Sequence, residues 1–155
     1  MPRSKLDART APYAAFLQRS LTIFMIASVV NYPWEVGQMA FYEASGTLAD
    51  FARHCIIPSL GDGILVLLIY MSGLVAFKRL DWTDAPSRRG YTWILGIGLV
   101  IAVAIEWLGV YGLGRWRYSE LMPLVPVLNV GILPILQMLL LPALIFHLVA
   151  YCFRQ

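Results

Sequence analysis

Apolar residues gather into four long stretches, at about 16–42, 55–77, 91–111 and 132–153, each bounded by charged, glycine-rich or aromatic positions. An α-helix needs roughly 20 residues to cross the hydrocarbon core of a bilayer. The pattern therefore predicts an all-α polytopic membrane protein, a four-transmembrane-helix bundle in which residues 1–155 form a single membrane domain. Composition agrees. The chain is 59% hydrophobic and 14% charged, whereas soluble domains carry about 25% charged residues. Four helices use most of its 155 residues and leave little for a soluble domain.

The twelve Lys and Arg residues set the expected orientation. Arg3, Lys5, Arg9, Arg19, Lys78, Arg79, Arg88, Arg89 and Arg154 flank one side, and only Arg53, Arg115 and Arg117 the other. Positive residues stay inside, so both termini are expected in the cytoplasm and the protein in the cell inner membrane. The formal charge of +3 is thus a topology signal. The basic residues form no continuous face, which speaks against nucleic acid. The first stretch is too long, and too interrupted by Asn31 and Glu35, for a cleaved signal peptide. It reads as a retained helix.

Between the spans, residues 1–12 read as a frayed basic arm and 78–89 as an ordinary connector. Thr47-x-x-Asp50 has the spacing of a capping box for a short surface helix. Residues 112–131 are apolar for a loop and dense in aromatics and Arg, and are expected to fold back over the bundle or lie among headgroups. Cys55 and Cys152 fall near opposite faces, beyond disulfide reach.

Each span also carries a polar residue that lipid would penalise: Glu35, Asp62, Glu106 and Gln137. A charge near the bilayer centre costs about 3 kcal/mol or more unless it finds a partner or a wet cavity. Ser28, Asn31, Glu35, Gln38 and Tyr42 share one helical stripe, interrupted by Pro33, which should face the bundle axis. Cys55, Ser59 and Asp62 share a face of the second span, with Gly61 and Gly63 beside the acid. Gly98, Ala102, Glu106 and Gly109 share a face of the third, and such small residues permit close helix approach. Counted from the outer ends, all four polar groups fall in one layer of the outer half of the membrane. His54 stands at its mouth; His147 lies roughly 15 Å deeper than Gln137, so the two histidines are not expected to share one haem. No metal site is expected, apart from an open mixed site of His54 with carboxylates, and the sequence leaves any cofactor unknown.

Several readings of this layer stay open. It can be hydrogen-bonded glue between helices, or an ion-pair network in which Arg53, Arg115 and Arg117 neutralise the three acids. The sharper reading keeps at least one carboxyl protonated and able to donate. Glu106, followed by Gly112, Gly114, Trp116 and Tyr118 and then a proline-rich run to Pro134 and Gln137, is similar to a pattern in the small membrane carotenoid (lycopene) cyclases. There a membrane glutamate precedes a Gly-x-Trp-x-Tyr turn and a Pro-x-Glu-Glu-like element follows. The match departs at Gln137, where a carboxylate is expected, so Asp62 or Glu35 would have to supply that acid. More broadly the chain resembles small four-helix proteins of bacterial inner membranes.

The resemblance and the acidic layer together imply acid–base chemistry on, or binding of, a lipidic or isoprenoid ligand. Glu35 and Glu106 would serve as acid and base, and Asp62 as orienter or second base. Asn31, Gln38, Tyr42, His54, Arg115 and Gln137 would contact the ligand, with Trp107, Trp116 and Tyr118 as pocket walls. The alternative is an accessory or assembly subunit with a protein partner in the membrane. Proton or ion passage is weaker, because only Tyr70 and His147 interrupt the apolar sequence below the layer.

Overall fold

The computed structural model describes residues 5–43 and 45–154, with side chains from residue 12 onward. Arg3 lies outside the described residues, as do the side chains of Lys5 and Arg9. The architecture is mostly helical, and four helices are long and apolar enough to cross a membrane. α1 spans Lys5–Gln38 and ends in a 3-10 turn, Met39–Phe41. It begins earlier than expected: from Lys5 the proposed frayed arm is helical, because Lys, Leu, Ala and Arg there favour the helix.

α2, Leu48–His54, starts at the expected capping box, with the Thr47 side chain accepting from the Asp50 amide and Asp50 accepting from the Thr47 amide. α3 spans Ile56–Phe77 and α4 Arg88–Glu106; a π-helical turn, Trp107–Gly112, prolongs α4. A two-stranded hairpin follows, β1 Leu124–Val125 against β2 Val130–Gly131, and α5 runs Ile132–Arg154. Pro134 sits in the first turn of α5, where a missing donor is tolerated. Pro142 is buried within it without ending the helix.

α1 packs on α3 and α5, while α4 packs on α5 and more sparingly on α3, closing a ring of four. Small residues fix the close approaches. A Cβ on Gly63 would meet Ser28 and Phe24 of α1, and one on Gly98 would overlap the Met138 carbonyl of α5. Gly61, expected beside Asp62 for the same reason, has no such neighbour. The largest apolar core fills the half nearer the termini, from Ile23 and Ala27 through Val66, Ile69 and Ile94 to Ile145 and Val149. A smaller one, Ala102, Val130, Ile135 and Met138, lies at the opposite end.

The connector between α3 and α4 is a plug rather than an ordinary loop. Trp82 is 5% exposed and stacks near Tyr70 and Phe77, with its indole N–H donating to the Tyr70 carbonyl at 3.2 Å. It lies over Gly73, where any Cβ would strike the indole. Tyr70 donates in turn to the Leu80 carbonyl at 2.9 Å, and Arg19 forms a two-pronged ion pair with Asp84. The sequence reads 78–89 as an ordinary connector; burial of Trp82 against Gly73 is a tertiary event.

Gly98 and Gly96 make a paired test. Gly98→Ala forces backbone apart and should cost about 1–3 kcal/mol. Gly96 faces open space, so Gly96→Ala should be neutral or stabilise by up to about 1 kcal/mol through helix propensity. Thermal unfolding of the purified variants in detergent measures both.

Candidate functional site

Three helices deliver the central cluster. On α1, Asn31, Glu35 and Gln38 recur every three or four residues and all are buried, Asn31 completely. On α3, Asp62 is half-buried, and on α5 Gln137 is buried. The Gln137 amide nitrogen holds them together. It donates to Asn31 Oδ1 at 2.9 Å, Glu35 Oε1 at 3.0 Å and Asp62 Oδ2 at 2.8 Å. Gln38 Nε2 reaches Glu35 Oε1 at 2.7 Å and Gln137 Oε1 at 3.3 Å.

Donors run short in this cluster. A primary amide has two hydrogens, yet three acceptors crowd the Gln137 nitrogen. Gln38 Oε1 is buried and has no partner among the described residues. Two carboxyl groups thus meet on one amide, with acceptors left over. The expected arginine neutralisation does not occur. Arg53 pairs with Asp50 at 3.1 Å, and Arg115 and Arg117 are exposed and form no ion pair among the described residues. All three lie on the connections between spans, with their side chains exposed.

Glu106 forms a second centre. It is 5% exposed, and its Oε2 accepts from Tyr118 Oη at 2.5 Å and from Trp116 Nε1 at 3.3 Å. Oε1 has no hydrogen-bond partner among the described residues. The π-helical turn carries the chain outward, and the following segment folds back so that Trp116 lies over Gly109, where a Cβ would clash with the indole. Backbone bonds from Glu43 to Arg117 (2.9 Å) and from Ser119 to Phe41 (3.0 Å) clamp this return onto the end of α1. The expected fold-back of 112–131 is therefore present. Tyr42 has left the helical stripe: it is extended, pairs with Tyr118 through the backbone, and their rings lie 5.7 Å apart. Burial, and next the hydrogen bond to Glu106, raise the Tyr118 phenol, so it remains a donor at neutral pH.

The predicted single layer is thus two adjoining centres, Glu35–Asp62–Gln137 and Glu106–Trp116–Tyr118, with no hydrogen bond between them. Three expected members stand apart. Trp107 is 52% exposed and donates to the Leu128 carbonyl at 2.9 Å, so it walls no acid site. His54 is exposed and bonded through Nδ1 to the Asp50 carbonyl at 2.8 Å, one turn back on its own helix. Arg115 is exposed. Helix phase puts Trp107 and His54 outside, and Arg115 lies on the exposed segment that follows the π-helical turn. The hairpin and the π-helical turn have no clear signal in the sequence: positive φ at Val127 and Asn129 marks the hairpin turn, and of the two only Asn is a residue type that favours it. Among the described residues no group of three or more His, Cys, Asp or Glu is placed to hold a metal. Both cysteines are free.

Gln137→Leu strips the shared donor from three acceptors and should cost about 2–4 kcal/mol, since stranded buried polar groups cost roughly 1–3 kcal/mol each. Gln137→Glu puts an acceptor where the donor stood, so its thermal midpoint should fall at neutral pH and recover part of the loss in acid, when protonation supplies one hydrogen. Comparison with protein-family models, curated proteins and solved structures finds no match to this chain.

Proposed function

We propose that the chain is an integral inner-membrane protein with both termini in the cytoplasm, and that its two acidic centres perform acid–base chemistry on a lipidic, isoprenoid-like ligand entering from the outer leaflet. The observation that carries this reading is the meeting of Glu35 and Asp62 on the single Gln137 amide with no cation beside them. A proton shared by that pair supplies the hydrogen that the cluster lacks. Asp62, the less buried of the two, is the acid placed to meet a ligand, with Glu35 holding the proton in reserve.

The chemistry balances without a redox partner. The carboxyl proton adds to one carbon of an alkene, the π pair forms the new C–H bond, and the neighbouring carbon becomes cationic. A second carboxylate then takes a proton from an adjacent carbon, and a new double bond forms. Glu106 suits that second role: Tyr118 and Trp116 hold Oε2, leaving Oε1 to receive the proton. The same convergence of Glu106, Trp116 and Tyr118 supports the cyclase-like reading of residues 106–137. Gln38 and Asn31 are positioning groups.

The accessory-subunit reading draws on a different observation. The outer hairpin presents Val127, 93% exposed, beside exposed Leu121, Leu124 and Leu128, a surface suited to a protein partner in the membrane. Proton or ion passage stands last, because the core around Val66, Ile69, Phe146 and Val149 is apolar on the cytoplasmic side of the acids.

Glu35→Gln, Asp62→Asn and Glu106→Gln should each lower turnover by roughly 10²–10⁴-fold while the protein still accumulates in the membrane. The readout is the lipid profile of a host expressing each variant against one lacking the protein. Unchanged profiles in all three, or a stoichiometric protein partner recovered after mild detergent extraction, would transfer the conclusion to the subunit reading. Orientation is tested separately. In a chain with both native cysteines replaced by Ser, a cysteine at Glu120 should react with an impermeant maleimide in intact spheroplasts, and one at Asp81 only in inverted vesicles.

A further inference from the structure

Where α4 meets α3 only sparingly, a groove of about 750 Å³ opens on the outside of the bundle. Its walls are Phe77 of α3 and Trp93, Ile97 and Val100 of α4, and its mouth carries Arg88 and Arg89. Gly96 lies in its floor with nothing within 4 Å of the position a Cβ would take. The Trp93 indole N–H donates to Ser72 Oγ at 3.0 Å, which ties this wall of the groove to α3. Both arginines are exposed, and neither enters an ion pair among the described residues. Asp81 and Asp84, the nearest acids on the preceding connector, are taken by Arg79 and Arg19.

We infer that this groove binds an anionic glycerophospholipid of the cytoplasmic leaflet, its phosphate on Arg88 and Arg89 and one acyl chain along α4 to Val100. Length and charge both argue for that occupant. From Arg88 to Val100 a helix rises roughly 18 Å, a little over half the roughly 30 Å hydrocarbon core, which is the reach of one leaflet's acyl chain. The arginines stand at the end of the groove nearest both chain termini, the side where anionic headgroups gather and basic pockets between spans recognise them. A protein helix would leave the two guanidinium groups without counter-charge. A soluble anion would leave the apolar wall uncovered.

The inference rests on the membrane insertion and orientation proposed above, not on the acidic centres. Resistance of the full chain to carbonate extraction from host membranes separates the two: extraction of the protein would overturn insertion itself. For an integral protein, the full chain is purified in mild detergent and titrated with phosphatidylglycerol or phosphatidylcholine of matched acyl chains. Retained lipid is then counted by native mass spectrometry. Wild type should prefer the anionic lipid by roughly tenfold or more, as expected for two arginines at the headgroup level. Arg88→Gln/Arg89→Gln should lose that preference, and Arg88→Lys/Arg89→Lys should keep most of it. Gly96→Leu, which fills open space and leaves the fold intact, should lower retention of both lipids. Equal retention by wild type, unchanged preference in the Gln variant, or a second protein copy bound in place of lipid would overturn the assignment.

Discussion

One amide nitrogen organises the polar interior. Gln137 Nε2 lies within hydrogen-bond distance of Asn31 and Glu35 on α1 and of Asp62 on α3, so a single side chain of α5 ties three helices at one depth. In an apolar surround each of those groups is costly alone, and removing the Gln137 amide takes the shared donor from all three acceptors. The requirement that they meet fixes the rotation of α1, α3 and α5 about their own axes. An amide serves this purpose where an arginine would not. It offers hydrogens without neutralising the acids, so two carboxyl groups share one amide with no cation paired to them.

The second constraint is steric. Glycines at 63, 73, 98 and 109 each sit under a neighbour that occupies the space a Cβ would need. Two of those neighbours, Trp82 and Trp116, come from connections rather than spans. Each end of the bundle is thereby closed by an indole laid over a glycine. At the end nearer the termini, Trp82, the Arg19–Asp84 pair and the Tyr70 bond to Leu80 make a plug. At the opposite end, Trp116 and Tyr118 close over Glu106 and place donors on its carboxylate. The second closure therefore has a chemical consequence that the first lacks. Both closures leave the outward faces of α3 and α4 uncovered, and there the groove beside Trp93 and Gly96 opens.

The helices and their inward stripes were legible in the chain because long apolar runs and helical periodicity are local properties of a sequence. Asn31, Glu35 and Gln38 follow the 3,4 spacing and are buried as that spacing requires. Gly98, Ala102, Glu106 and Gly109 do the same on the third span. The Thr47–Asp50 capping box is local chemistry and reads directly from four residues. Tyr42 marks the limit of periodicity: its position in the stripe assumed a continuing helix, and the 3-10 turn at Met39–Phe41 rotates it onto Tyr118 instead.

Which polar group answers which was decided only in three dimensions. Three arginines against three acids suggest ion pairs, but an arginine on an exposed connection gains little by entering an apolar bundle, whereas an amide already anchored on a buried helix face cannot leave it. The pairing of acids with Gln137, Trp116 and Tyr118, the exclusion of His54 and Trp107, and the conversion of the 78–89 connector into a plug all depend on contacts between residues far apart in sequence. Periodicity assigns each residue a face and a depth. It carries no information on the rotation and closure that choose its partner, because those follow from the packing of all four helices at once.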